Sequence, residues 1–140
     1  MTRSDYVRVD LRIEHPSATA KEIAEMLGVQ PGAVGTKGEP RGRPRPDRPV
    51  PHRATWQFHY ASFPFGEGDG REQLDAAFHL IREKSAEISR LIGTGGRAML
   101  SILAAPAFGW GAEIGVRELE LLVRAGVELG VEVYREPGGD

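Results

Sequence analysis

The stretch from Arg71 to Ala104 limits what this chain can become more than any other, because it joins a long amphipathic segment to a run that is apolar on both faces. From Leu74, apolar residues recur at Ala77, Phe78, Ile81, Ile88, Leu91 and Ile92, with only Ser85 out of character. That spacing predicts one helix carrying a single apolar stripe. Gly93, Thr94, Gly95 and Gly96 end it, since glycine takes positive φ without a Cβ clash, and Met99 to Ala104 then reads as a strand covered on both sides. Such a strand belongs in the interior of a sheet.

The other elements are read against that core. Tyr6 to Ile13 alternates, with Val7, Val9, Leu11 and Ile13 on one face and Arg8, Asp10 and Arg12 on the other, the pattern of a half-buried strand. His15-Pro16 stops it. Thr19 and Glu22 have capping-box spacing, in which threonine and glutamate satisfy the first free amides of a helix whose Ile23, Met26 and Leu27 face inward. Gly28 occupies the expected left-handed C-cap, and Pro31 prevents the helix from resuming. Ala54 to Tyr60 places Trp56, Phe58 and Tyr60 on one side, which predicts a strand with an aromatic core face. Ser62 to Gly70 reads as a turn-rich link. After Pro106, Phe108 to Ile114 suggests a short return strand. Val116 to Ala125 then predicts an amphipathic helix with Leu119, Leu122 and Val123 inward, and Val127 to Tyr134 a final alternating strand.

The expected fold class is α+β, a two-layer sandwich in ferredoxin-like βαββαβ order from residue 54 onward, with an added N-terminal strand and helix. At 140 residues the chain has the size of one domain, and no second boundary or internal repeat interrupts residues 1–140. Cysteine is absent, which rules out disulfides, thiol catalysis and cysteine-bound metal centres and fits a reducing compartment. Met1 to Asp5 are polar and no apolar run approaches the ~20 residues that span a bilayer, so a cytoplasmic location without membrane contact is expected.

Residues 31–53 stand apart. Six of the chain's ten prolines fall here, interleaved with arginines, and the composition predicts an extended surface loop without packed structure between Arg41 and Pro51. Lys37, Arg41, Arg43, Arg45, Arg48 and Arg53 face only Glu39 and Asp47, so residues 37–53 carry +4 and the remainder −6 within a net charge of −2. A flexible arm of that sign attracts an acidic partner.

In element order and spacing the chain resembles a bacterial family known as domain of unknown function 4279. The resemblance lies in Val9-Asp10-Leu11-Arg12-Ile13, Glu22-Ile23 through Leu27-Gly28-Val29-Gln30-Pro31, Lys37-Gly38-Glu39, Trp56, Leu119 to Leu122, and Val131-Glu132-Val133-Tyr134. The chain departs from the family pattern at Glu128 and Glu132, where aspartates are usual, and in its longer insertion from Arg41 to Val50. The resemblance implies a fold and a bacterial origin and carries over no catalytic residue. It also points to immunity and interaction proteins, which occur among small orphan domains of this kind.

Motifs that carry chemistry are sparse. Gly109, Gly111 and Gly115 lack the spacing of a nucleotide fingerprint and read as a plain turn, while Gly93 to Gly96 leads into a strand, where it cannot cradle phosphate. Asp75, His79 and Glu83 share one helix face at a spacing that serves a metal or a solvated ion-pair ladder, and the ladder is the simpler reading. His52 and His59 flank the aromatic segment, and His15 reads as a strand-end residue. Ser85, Ser89 and Ser101 lie inside regular elements, and no nucleophile elbow exists. The leading expectation is therefore a non-enzymatic interaction domain, an immunity or regulatory protein. It would grip an acidic protein partner through an exposed sheet edge or through Lys37, Arg41, Arg43, Arg45, Arg48 and Arg53. Nucleic acid is disfavoured as a partner, and edge pairing into a homodimer stays open. The alternative is a small-molecule or nucleotide binding domain, an enzyme included, with a pocket lined by Trp56, His59 and Tyr134. No cofactor and no metal are expected.

Overall fold

Ten residues of alternating character, Tyr6–His15, form the strand on which the sheet is centred. The structure, a computed structural model, describes residues 6–41, 54–66, 68–105 and 111–133. Along these the elements are β1 (Tyr6–His15), α1 (Ala20–Leu27), β2 (Ala33–Gly35), β3 (His59–Pro64), α2 (Gly70–Glu83), α3 (Ser85–Gly93), β4 (Arg97–Ala105), α4 (Val116–Ala125) and β5 (Val127–Val133). The five strands lie in the order β2-β3-β1-β4-β5. All neighbours are antiparallel except β4 and β5, which run parallel because α4 carries the chain back between them.

One face of this sheet makes the core. Register sets Leu11 beside Phe63 and Leu100, Ile13 beside Ala61 and Ala98, and Val9 beside Ile102, and all of these side chains are buried. Ile23 and Leu27 of α1, Leu74, Ala77, Phe78 and Ile81 of α2, Ile88 and Leu91 of α3, and Leu122 and Ala125 of α4 belong to the same cluster. Each full burial of a large side chain stabilises the fold by about 1.5–3 kcal/mol. Interior placement of the 99–104 run is confirmed, since β4 has a strand on either side.

Several expectations give way. The architecture is mixed α+β, but the ferredoxin-like order is not what forms: the N-terminal strand, expected as an addition, is the middle of the sheet. Alternation describes the two faces of a strand and carries no information about its neighbours, so pattern alone could not place β1. Residues 111–115 form no return strand; Phe108, Gly109 and Trp110 lie outside the described residues. The aromatic strand begins later than expected, at His59, and runs through Ala61, Ser62 and Phe63, all buried. Trp56 and Phe58 precede it and are not core residues. Two small consecutive side chains, Ala61 and Ser62, gave the buried strand no alternation to read. Within residues 31–53, expected as loop throughout, Ala33–Gly35 forms β2, and residues 42–53 lie outside the described residues. The long helix is two helices, divided at Lys84, where φ −110 and ψ 20 interrupt the α conformation directly before Ser85. On α4, Leu119 and Val123 are exposed, and Leu122 and Ala125 face the core.

Of the expected capping box the threonine half forms, while the Glu22 carboxylate takes the Thr19 hydroxyl and no backbone amide. Thr19 Oγ1 accepts the Glu22 N–H at 3.2 Å and donates to the Glu22 carboxylate, and Gly28 closes α1 at φ 67. Two buried polar side chains close the strand ends. β3 stops at Pro64, which has no N–H; past that point Gln73 of α2 accepts from Val9 N–H at 2.9 Å and donates to Val7 and Gly68 carbonyls at 2.9 and 2.7 Å. A helix side chain thus takes over the ladder where the neighbouring strand ends. His15 Nδ1 accepts from the N–H groups of Ser17 and Ala18 at 3.0 and 2.8 Å, which leaves Nε2 to donate to Thr94 Oγ1 at 2.8 Å. That fixes the tautomer and ties the end of β1 to the end of α3.

Candidate functional site: the helix-free face of the sheet

Arg8, Asp10, Arg12 and Glu14 of β1 point away from the core, and no described helix covers them. Cross-strand register places Tyr60, Glu14 and Arg97 in one row and Ser62, Arg12, Met99 and Glu128 in the next. A polar trough therefore crosses β3, β1, β4 and β5 on the side opposite the core.

Its best-built end lies over β2 and β3. The chain leaving β2 turns at Gly38, which takes φ +88, and then runs beside residues 54–56. Trp56 N–H donates to Glu39 at 2.9 Å, Gly38 N–H to Trp56 at 2.9 Å and Arg41 N–H to Ala54 at 2.7 Å, with a bridge between Pro40 and Thr55. These bonds set Arg41 and Trp56 side by side. The indole lies flat across Gly35, where a Cβ would stand only 2.5 Å from the ring, so glycine is what lets Trp56 reach Tyr60. The two rings stack with centroids 5.0 Å apart and an interplanar angle of 11°. The Arg41 guanidinium carbon is 4.6 Å from the Trp56 centroid, and that of Arg12 is 5.3 Å from the Tyr60 centroid. An aromatic pair flanked by two cations results, each contact contributing on the order of 0.5–1 kcal/mol.

A hollow of about 210 Å³ opens among Arg12, Glu14, Arg41, Trp56, Phe58 and Tyr60. Arg12 and Glu14 also line a second, of about 90 Å³, with Arg97, Met99 and Glu128. There Arg97 donates to Glu128 at 2.8 Å, and this bond raises the guanidinium pKa above its ordinary value. Beside the trough Asp10 is nearly buried and pairs with Arg8 at 3.0 Å. A groove of about 590 Å³ lies elsewhere, between α1 and the turn into β2. Its apolar walls are Ala20, Ala24, Val29, Pro31 and Val34, with Lys21, Glu25 and Gln30 also lining it, and it offers no aromatic face and no pair of cations.

The sequence-derived candidates divide accordingly. Arg41, expected in a partner-binding arm, and Trp56, expected in a ligand pocket, meet in one place. Lys37 is exposed and its N–H donates to His59 Nδ1 at 3.3 Å; His59 stands opposite His15 in register and does not line the hollow. Arg43, Arg45, Arg48, Arg53 and Tyr134 lie outside the described residues. Arg12 and Glu14 were missed as site residues, because a charged residue alternating along a strand looks like a solvated face until its neighbours are known. On α2, Asp75 pairs with Arg71 and His79 with Glu83 at 3.1 Å, an ion-pair ladder on an exposed face. No group of three or more potential metal ligands comes together among the described residues.

The family model described as Domain of unknown function (DUF4279) matches residues 5–136, and the chain belongs to that family. No curated protein and no solved structure matches the chain. Among the described residues no helix is long and apolar enough to cross a membrane.

Proposed function

We propose that this member of the DUF4279 family is a non-enzymatic protein-interaction domain that docks an acidic segment of its partner on the helix-free sheet face. The observation that carries this reading is the Trp56–Tyr60 stack held between Arg41 and Arg12. Tryptophan, tyrosine and arginine are the side chains that most often dominate binding energy at protein interfaces, and here they are preassembled. The size of this hollow favours side chains over a small molecule at this site: about 210 Å³ is below the roughly 300–1,000 Å³ of ligand pockets, and it accommodates one or two carboxylate side chains. The two guanidiniums supply the charge such side chains seek, and Glu14 with the Arg97–Glu128 pair extends the polar surface across the sheet.

A displayed random-peptide library selected on the wild-type chain tests this. Peptides rich in aspartate and glutamate are expected, with binding that weakens as salt rises and is lost in R12E/R41E. Peptides without acidic enrichment, or binding unaltered by that double reversal, would remove the proposal. A planar anion whose binding and thermal shift depend on Trp56 would replace the protein partner with a small ligand.

A further inference from the structure

We infer that the β5 edge and the outer stripe of α4 form a self-association surface, taken by a second copy of this chain. Of the eight exposed large apolar side chains among the described residues, six belong to this one corner: Val116, Leu119 and Val123 on α4 and Leu129, Val131 and Val133 on β5, between 40% and 79% exposed. The helix residues follow i, i+3, i+7 spacing and form one stripe turned away from the core. The strand residues alternate, so they share the side of the sheet on which α4 lies. Six large apolar side chains left exposed on two neighbouring elements form a concentration of the kind that marks interaction surfaces.

β5 is also an edge. Its only strand neighbour among the described residues is β4, so its outward N–H and C=O groups form a template for another strand. A second β5 fits that template about a two-fold axis at Val131. Antiparallel pairing there sets Leu129 against the partner's Val133 and Val131 against the partner's Val131, with Glu132 against the partner's Gly130 on the other face. Apolar meets apolar, and no glutamate opposes another. Centring one residue earlier would instead place Glu128 against the partner's Glu132, and like charges directly opposite disfavour that register. The surface lies at the other end of the sheet from the Arg12–Trp56 hollow and meets the polar trough only at Glu128, so neither proposal depends on the other.

Sedimentation of the full chain at micromolar concentration is the test. A species of twice the 15.3 kDa chain mass is expected. Val131→Arg, which puts two like charges on the axis, is expected to weaken the dimer at least ~10-fold. Val133→Lys, at a more exposed position, should do the same and serves if V131R does not fold; R12E/R41E should leave the dimer intact. A monomeric wild type would overturn the inference and leave the edge to a strand from another protein. A dimer that survives both edge substitutions would overturn it as well.

Discussion

Leu11 and Arg12 are adjacent in the chain and belong to opposite worlds. Leu11 is fully buried between Phe63 and Leu100 under the helices, while Arg12 faces outward over the Tyr60 ring. On the core side β1, β3, β4 and β5 contribute close-packed apolar groups, and the two buried polar side chains there, Gln73 and His15, are fully bonded. On the other side arginines, carboxylates and stacked rings lie over the same strands with no described helix above them. The difference shows that one strand can supply the fold with one face and a recognition surface with the other, so changes at alternate residues should separate stability from binding.

The core side should break first. Leu11→Ala is expected to destabilise the chain by about 3 kcal/mol, since a cavity between sheet and helices cannot collapse easily, and chemical denaturation measures it. Gln73→Leu comes next at about 2–3 kcal/mol, because Val9 N–H and the Val7 carbonyl lose their partner beyond Pro64. Hydrogen exchange should locate the damage at Val9; unchanged protection there would show that Gln73 does not replace the missing strand.

Gly35→Ala sharpens the contrast from the other face. The added methyl displaces the indole from Tyr60, so acidic-peptide binding should fall with both arginines in place, while stability changes by only about 1 kcal/mol. Unaltered tryptophan fluorescence and affinity would argue against the stack as the organising element.

The smallest effect belongs to the exposed face of α2. The hydrogen bond from Arg71 lowers the Asp75 pKa below its ordinary 3.8, and a depressed carboxylate contributes stability above that value which is lost as pH falls through the folded-state pKa. Asp75→Asn should therefore lower stability slightly at neutral pH, leave it unchanged below the folded-state pKa, and so remove a slight acid-side slope. Full exposure to solvent keeps the contribution small.

Much of the fold was legible because it rests on local chemistry. Thr19 and Gly28 bracket α1, the apolar spacing from Leu74 to Leu91 is buried throughout, and the two-sided apolar run became β4 between two strands. What could not be read depends on distant neighbours. Trp56, Phe58 and Tyr60 alternate as a core strand would, yet the buried strand follows them, and only Tyr60 belongs to it. Ser85, the one misfit in the helical stripe, was the sole hint of the break at Lys84. Of the site, Arg41 and Trp56 were visible as residue types, but their meeting depends on the ladder between residues 38–41 and 54–56. Arg12 joined them only when β1 proved to be the strand beside Tyr60.

The most direct measurement pairs two readings on one protein, Arg12→Gln with Arg41→Gln: unfolding free energy and affinity for an acidic peptide selected on the wild type. Stability is predicted to stay within about 1 kcal/mol while affinity falls at least ~10-fold. Unfolding of the double variant, or affinity equal to that of the wild type, would contradict a division of labour between the two faces of β1.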